Sequence, residues 1–396
     1  MSDGPKTPEP TRPYIGGQAV LEGVMMRSPT SFAVVVRRRD GSLHVRERAM
    51  PDGRKGAAKL PLARGIASLV ESLKLGSESL RFSAEQMERD LEAASVATSL
   101  LNVLRSVGYT LFLLMTADAD TATGATTTKD DEAGVPVAEL VKEDEKDEKK
   151  ESGSKLPTTL MVVLMVGFLI ALPQGAAWAV KHFLKLDVDI QSPAFQAMTG
   201  GFKLLIVVGY LLLVRRVFPD IRRVFQYHGA EHKTISTYEA NEELTVANAR
   251  AKTTLHPRCG TTFLVMVALV SILVFTAVGS FLPKIHTGKE SLDNVVFFLE
   301  KLPFLPLIAA VTFEIQRVFA RFCTTGPLRV LLWPGFLCQK ITTIEPNDDQ
   351  LEVALASLRV TLFRETGEET AKTTNDVRYV NFDALMTSPK LRRQAA

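Results

Sequence analysis

Two histidines and a glutamate stand close together in the segment His228-Gly229-Ala230-Glu231-His232. Histidines four residues apart share one face of a helix, so both imidazoles can reach the same metal ion. The order His-x-x-Glu-His is the inverted form of a zinc-protease motif. The segment therefore predicts a metal site with His228 and His232 as ligands. Glu231 is the candidate catalytic residue, either as a general base or as a carboxylate that orients a ligand.

Three further candidate ligands follow along the chain. Glu239 comes seven residues after His232 and returns to the same helix face, whereas His256 and Cys259 stand three residues apart in the next segment. Imidazole and thiolate are ligands that zinc prefers, so zinc is the expected ion. Four protein ligands would make a closed structural site, and three would leave a position for water. The alternative without a metal is a polar helix at a membrane surface whose histidines are solvated.

Five other ionisable residues are candidates for a site: Glu22, Arg27, Arg223, Arg258 and Glu314. Glu22 and Arg27 lie in a glycine-rich segment, residues 16–27, that lacks the P-loop lysine and the glycine spacing of a dinucleotide fold, so we expect tight backbone packing there. Arg223 and Arg258 are candidates for binding an anionic substrate group. Glu314 is an ionisable residue at or near the depth of the membrane, which indicates either a functional group or a local pair with Arg317.

The composition excludes several classes of protein. The 396 residues include 47 basic and 44 acidic side chains, and the net charge of +3 provides no strong field for nucleic acid. Hydrophobic residues make up 46% and charged residues 23%, so the two kinds must be segregated. Three cysteines (Cys259, Cys323 and Cys338) cannot all pair, which indicates a reducing compartment. Residues 1–14 have no apolar run, so we expect no cleaved secretory leader there.

Apolar segments at four places predict membrane spans: residues 158–180, 198–214, 262–282 and 302–313. The first and third contain no charged residue and are long enough to cross a hydrocarbon core of roughly 30 Å. Lys203 interrupts the second, where a lysine near a helix end could reach the headgroups. The fourth is short and contains Pro303 and Pro306, so it spans only if residues 295–299 or Glu314 extend it.

Basic residues near the span ends predict the orientation. The connection 215–260 has eight lysines and arginines, whereas connections 181–197 and 283–301 have two and three. Residues 215–260 should therefore be cytoplasmic, and four spans place both termini on that side. The predicted fold is an α-helical integral membrane protein with about four transmembrane helices and a small cytoplasmic α+β N-terminal module.

The N-terminal module should contain a β-hairpin over residues 31–47 and a helix over residues 62–86, because the first alternates around a turn and the second has helical apolar spacing. Residues 96–115 are apolar around Arg105, which favours an interfacial or packed helix. The predicted organisation is a disordered N-terminus (1–14), the cytoplasmic module (15–116), a charged flexible linker (117–156), a first transmembrane pair (157–217), the motif loop (218–261), a second transmembrane pair (262–320), an interfacial segment with a capped helix (321–365) and a C-terminal tail (366–396).

The chain resembles the YqhQ-like family of bacterial membrane proteins. The resemblance implies a multi-span protein of the bacterial inner membrane and, from the description of its members, a metal-dependent enzyme. Residues 88–155 and the longer C-terminal tail depart from the family pattern. The segments that carry the resemblance are Gly16-Gly17-Gln18-Ala19-Val20-Leu21-Glu22-Gly23-Val24-Met25, residues 223–233, Tyr238-Glu239, Leu255-His256-Pro257-Arg258-Cys259-Gly260, Trp333-Pro334-Gly335 and residues 342–353.

Two functions remain open from the sequence. The first is a metal-dependent membrane enzyme, in particular a hydrolase whose site lies at the cytoplasmic face and acts on a lipid or a membrane protein. The second is a non-catalytic scaffold or assembly factor for membrane proteins, whose His/Cys cluster is structural and joins the motif loop to the N-terminal module. In both cases the lipid bilayer is the expected partner and nucleic acid is not.

Overall fold

The computed structural model describes residues 12–50, 62–91, 171–283, 287–323, 326–366 and 374–392. Most of the predicted first span at 158–180 lies outside these ranges, as do the apolar segment 96–115 and the linker 117–156. The described part combines a five-stranded antiparallel sheet, helices on both faces of the sheet and a group of apolar helices.

The sheet is an antiparallel meander in the order β1-β2-β3-β4-β5. The pairing of β3 with β4 confirms the hairpin predicted at residues 31–47. The fifth strand pairs with β4 and comes from the region predicted to be a C-terminal tail, so that part of the prediction is wrong. The strands are β1 (Gly16–Val20), β2 (Gly23–Arg27), β3 (Ser31–Arg37), β4 (Leu43–Ala49) and β5 (Asn375–Tyr379).

The sheet is covered on both faces because its central strands are apolar on both sides. In β3, Val34 and Val36 pack in one cluster with Phe82 of helix α1 (Ala63–Leu91). Ala33 and Val35 face the opposite cluster, which includes helix α10 (Asp348–Thr366). Alternate residues of a strand point to opposite faces, so two helical layers enclose the sheet. Residues 375–379 add a strand at its edge.

Helix α10 begins with the cap expected from its sequence. The Asn347 side chain accepts a hydrogen bond from the Gln350 backbone N–H at 3.2 Å, and the Gln350 side chain accepts one from the Asn347 N–H at 2.9 Å. This reciprocal pair satisfies two N–H groups at the start of the helix. The remaining helices outside the apolar group are α4 (Pro219–Glu239), α5 (Val246–Ala251), α9 (Trp333–Thr342), α11 (Phe382–Met386) and α12 (Pro389–Arg392).

Apolar helices form the other part of the described chain: α2 (Leu172–Phe183), α3 (Pro193–Val217), α6 (Gly260–Val278), α7 (Glu290–Lys301) and α8 (Phe304–Phe322). Of these, α3 and α6 are long and apolar enough to cross a bilayer. A third span exists if α7 and α8, which meet at a 45° bend, cross together. Two or three such helices among the described residues indicate a membrane-associated protein, and the span predicted at 158–180 lies mostly outside those residues.

Two charged residues of these helices have partners that the sequence analysis did not predict. Lys203 is not near an end of α3 but in its middle, and its ammonium group bonds to Ser271 of α6 at 3.2 Å. It therefore points between helices rather than toward headgroups. Glu314 of α8 pairs with Arg64 of α1, not with Arg317, so it joins the apolar helices to the sheet-covering layer.

Candidate metal centre

Three of the predicted ligands meet inside the protein. The ligand atoms of His228, His232 and Cys259 lie within 4.8 Å of one another. The two histidines are on consecutive turns of α4, and the cysteine is the residue that caps the start of α6. Their side chains are buried, with residue exposures of 1%, 1% and 4%. The group therefore lies at the junction between α4 and the first turn of an apolar helix.

Backbone carbonyls orient both imidazoles. His228 Nδ1 lies 3.0 Å from the carbonyl oxygen of Thr342, and His232 Nδ1 lies 2.5 Å from that of Thr254. An Nδ1–H that donates to a carbonyl leaves Nε2 with its lone pair, which is the arrangement of metal-binding histidines. His228 Nε2 is 3.1 Å from Cys259 Sγ. His232 Nε2 is buried and has no hydrogen-bond partner among the residues that the structure describes.

The environment keeps both imidazoles in the neutral form that binds metals. Burial lowers the pKa of His228 to about 4, although its contact with the Thr342 carbonyl acts in the opposite direction. Burial also lowers the pKa of His232 well below its usual value, and the neighbouring His228 and His256 lower it further. Both rings are therefore uncharged at neutral pH, as coordination through Nε2 requires.

The sulfur of Cys259 lies at the N-terminus of α6, in contact with polar groups of Thr261. Its Sγ atom accepts a hydrogen bond from the backbone N–H of Thr261 at 3.4 Å and lies 3.1 Å from the Thr261 hydroxyl. The unpaired N–H groups and the dipole at a helix N-terminus stabilise a negative charge there. Two imidazoles and one thiolate match the nitrogen and sulfur ligands of zinc sites. The residues present therefore fit a transition-metal ion.

Glu239, also predicted as a ligand, is used elsewhere. Its carboxylate pairs with Arg258 and lies 3.3 Å from His256 Nε2. His256 is adjacent to the cluster, with its ring centroid 5.7 Å from that of His232, but its ligand atoms are not part of the converging group. Glu239 is therefore outside the converging group, and its carboxylate is paired with Arg258, which follows it in the chain.

Glu231, the predicted catalytic residue, is buried on α4 beneath strand β1. A Cβ atom added to Gly17 would lie 2.8 Å from Glu231 Oε1, so the missing side chain of that glycine makes room for the carboxylate. Among the described residues the carboxylate oxygens do not belong to the converging ligand group. Glu231 therefore connects the helix that carries the histidines to the edge of the sheet.

The remaining candidate residues form bridges between elements. Glu22 lies at the β1–β2 turn with a positive φ of 50°, pairs with Arg223 through both carboxylate oxygens and accepts a hydrogen bond from the Tyr227 hydroxyl at 3.2 Å. Arg27 is 2% exposed and bonds to Ser72 of α1 at 3.1 Å. Since Arg258 is paired with Glu239, both arginines proposed to bind a substrate already have carboxylate partners.

The residues that position the ligands give little signal in the sequence. Thr254 and Thr342 act through backbone carbonyls, which every residue type has. Gln339 fixes the backbone beside His256, because it accepts from the His256 N–H at 2.8 Å and donates to its carbonyl at 2.7 Å. The same amide donates to Thr262 of α6 at 2.7 Å. A buried glutamine in an apolar segment is the one sequence signal that points to these contacts.

A family model described as protein of unknown function (DUF1385) matches residues 60–363. The match covers most of the chain and includes the three converging ligands. The chain belongs to this family. The uncharacterized protein YqhQ of Bacillus subtilis (strain 168) is 29% identical over 374 residues, which are 92% of this chain and 98% of that relative. No solved structure matches the chain.

Membership in the DUF1385 family confirms the YqhQ-like resemblance seen in the sequence. The match includes the histidine helix and the His256–Cys259 segment and ends within α10, so the buried cluster lies inside the family region. The description of the family and the name of the relative assign no activity.

Proposed function

We propose that this DUF1385 protein is a membrane scaffold whose His228–His232–Cys259 cluster binds one zinc ion as a structural link. The observation that carries the proposal is the buried Nε2 atom of His232, which has no hydrogen-bond partner in the described chain and stands within reach of another imidazole and a thiol. An unsatisfied buried polar atom is costly, and a metal ion would satisfy it.

The position of the cluster supports a structural role. Zinc at this point would join α4, which packs on β1 and α10, to the start of α6, which is long enough to span a bilayer. It would thereby lock the sheet-containing unit onto the membrane helices. The two arginines expected to bind an anionic substrate group, Arg223 and Arg258, are engaged in internal ion pairs. A buried site without substrate-binding charges suits a scaffold or assembly factor for other membrane proteins.

The proposed location is the bacterial inner membrane. Residues 158–180 would provide a further span before α3, and the bent pair α7–α8 would complete four. The excess of basic residues in 215–260 then places the zinc cluster and both termini on the cytoplasmic side. In that arrangement the sheet and α10 stand at the cytoplasmic face, where partner proteins or lipid headgroups are accessible.

Metal content provides the direct test. We expect the full chain, purified in detergent without chelators, to contain about one equivalent of zinc by elemental analysis, as a single tetrahedral site requires. The double variant His228→Ala/His232→Ala should contain almost none. His182→Ala is the matched control, because His182 is an exposed histidine of α2 that stacks on Trp178. Wild-type protein that stays free of metal after incubation with zinc would exclude the proposal.

A metal-dependent hydrolase is the second candidate, supported by the number of ligands. Three converging protein ligands leave the fourth position of a tetrahedral zinc ion for water, and Glu231 stands between the two histidines on the same helix. In that role Glu231 would accept a proton from the water, and the substrate would be a lipid or membrane protein at the cytoplasmic face.

Cobalt(II) substitution distinguishes the two roles. We expect the visible spectrum of the cobalt form to remain unchanged on addition of azide and to be the same in Glu231→Gln. In the structural role the neighbouring His256, whose ring centroid lies 5.7 Å from that of His232, would supply the fourth ligand and leave no exchangeable position. An open site would instead bind azide. Its bound water would also ionise at about pH 7 and alter the spectrum. The midpoint of that pH titration would shift in Glu231→Gln. Those results would favour the hydrolase.

A further inference from the structure

A small polar cavity lies among the apolar helices, away from the histidine cluster. Its volume is about 20 Å³, and helices α2, α3, α6, α7 and α8 contribute to its lining. Two of the lining residues are lysines. The polar side chains around it are Gln174, Gln196, Thr199, Lys203, Ser271 and Lys301.

Both lysines point into the protein without an acidic partner. Lys203 Nζ donates to the Ser271 hydroxyl at 3.2 Å, and Lys301 Nζ donates to Gln174 Oε1 at 2.9 Å. Lys301 is 3% exposed and lies 4.3 Å from the centroid of the Phe297 ring. None of the described residues that line the cavity is acidic. Two ammonium groups therefore line the same cavity, and their neighbours are neutral.

The depth of the cavity makes this arrangement costly. Lys203 is the eleventh residue of the 25-residue helix α3, close to the middle of a helix that is long enough to span. Lys301 is the last residue of α7, at the point where α7 and α8 bend by 45°. A broken helix at membrane depth is tolerated where it lines a cavity, and ionisable groups at that depth usually serve a function.

Donors are available for an anion in this cavity. Each ammonium group has three N–H bonds, of which the described contacts use one. The other polar groups are already engaged. Thr199 donates to the Phe195 carbonyl at 2.9 Å, and Ser271 donates to the Ala268 carbonyl at 2.7 Å. The unused donors are thus positively charged and belong to the two lysines.

We propose that this cavity binds a single halide-sized anion, chloride in the cell, between Lys203 and Lys301. The volume of about 20 Å³ holds one water-sized particle, so a monoatomic anion fits and a phosphate or carboxylate group does not. The anion would neutralise the repulsion between the two ammonium groups. It would also hold the bend of α7 and α8 against α2 and α3.

The test compares chloride with gluconate at equal potassium concentration, using the full chain in detergent. For wild-type protein we expect the midpoint of thermal unfolding to rise by about 3 °C or more as chloride replaces gluconate, and the rise to saturate. Bromide should act like chloride. Lys203→Met and Lys301→Met should each abolish the effect. Lys340→Met, which changes an exposed lysine of α9, should retain it.

Binding of radioactive chloride to wild-type protein gives a second measurement that needs no variant. We expect about one chloride per chain, displaced by bromide and not by phosphate. Equal midpoints of wild type in chloride and gluconate, together with no bound chloride, would overturn the proposal. A chloride effect that persists in both lysine variants would also overturn it, and displacement by phosphate would contradict the size argument.

Discussion

Removing zinc from the folded protein should lower its midpoint of thermal unfolding by about 10 °C, provided that the ion is the structural link proposed above. A ligand present at a thousand times its dissociation constant stabilises the folded state by about 4 kcal/mol, and each kcal/mol corresponds to roughly 2–4 °C for a domain of this size. The destabilisation follows from the buried geometry. Without the ion, His232 Nε2 is left buried with no partner in the described chain.

Three samples of the same preparation would provide the measurement: native protein, protein dialysed against a zinc chelator, and chelated protein reloaded with zinc. The midpoint should fall in the second sample and recover in the third. Hydrogen exchange should become faster in α4 and in the first turn of α6, the two elements that the ligands join. The double variant His228→Ala/His232→Ala is the control, and the chelator should leave its midpoint unchanged. A wild-type midpoint that is insensitive to chelation would contradict the structural role.

The ligands that sit on regular elements could be predicted from the sequence. The spacing of His228 and His232 fixes their relative position as soon as the segment is helical, because four residues make about one turn. Cys259 is the residue before a long apolar helix, where a small polar side chain caps the first turn. Local geometry thus determines three positions of the cluster, and the fold supplies the distance between them.

The ion-pair partners of the charged residues could not be predicted in the same way. Glu239 has the correct spacing for a ligand but pairs with Arg258, and Arg223 pairs with Glu22 two hundred residues away. The fold determines which opposite charges come close enough to form an ion pair, and a sequence with many charged residues allows many possible pairs. The tertiary position of each charge, which no local pattern encodes, decides whether an arginine is available to a substrate.

The same distinction applies to the fold. The β3–β4 hairpin has its turn and alternating strands within one short segment, so the sequence predicts it. Strand β5 joins the same sheet from the other end of the chain and consists largely of polar residues, which resemble a solvated tail. In the sequence, Lys203 interrupts an apolar segment and so weakens the prediction of a span. Its hydrogen-bond partner, Ser271, belongs to another helix and is not evident from the local sequence.

Replacing Gly229 with alanine should destabilise the protein and weaken metal binding together. An added Cβ atom would lie 2.2 Å from the carbonyl oxygen of Ile344, far closer than non-bonded atoms approach. That oxygen belongs to a segment held tightly against α4, since the Ile344 N–H donates to the Phe225 carbonyl at 3.0 Å. The segment must therefore move. Forced overpacking of this kind costs about 1–3 kcal/mol.

The metal site should change as well, because the displaced segment begins at Thr342, whose carbonyl orients His228. Loss of a group that orients a metal-binding histidine typically lowers metal affinity by about 10–100-fold. Gly209→Ala is the matched control: Gly209 lies in α3 with no atom within 4 Å of an added Cβ, so alanine there should be neutral or stabilising. Thermal unfolding and zinc titration of both variants would test the prediction. Equal stability and equal zinc affinity in the two variants would show that Gly229 does not position the segment that orients His228.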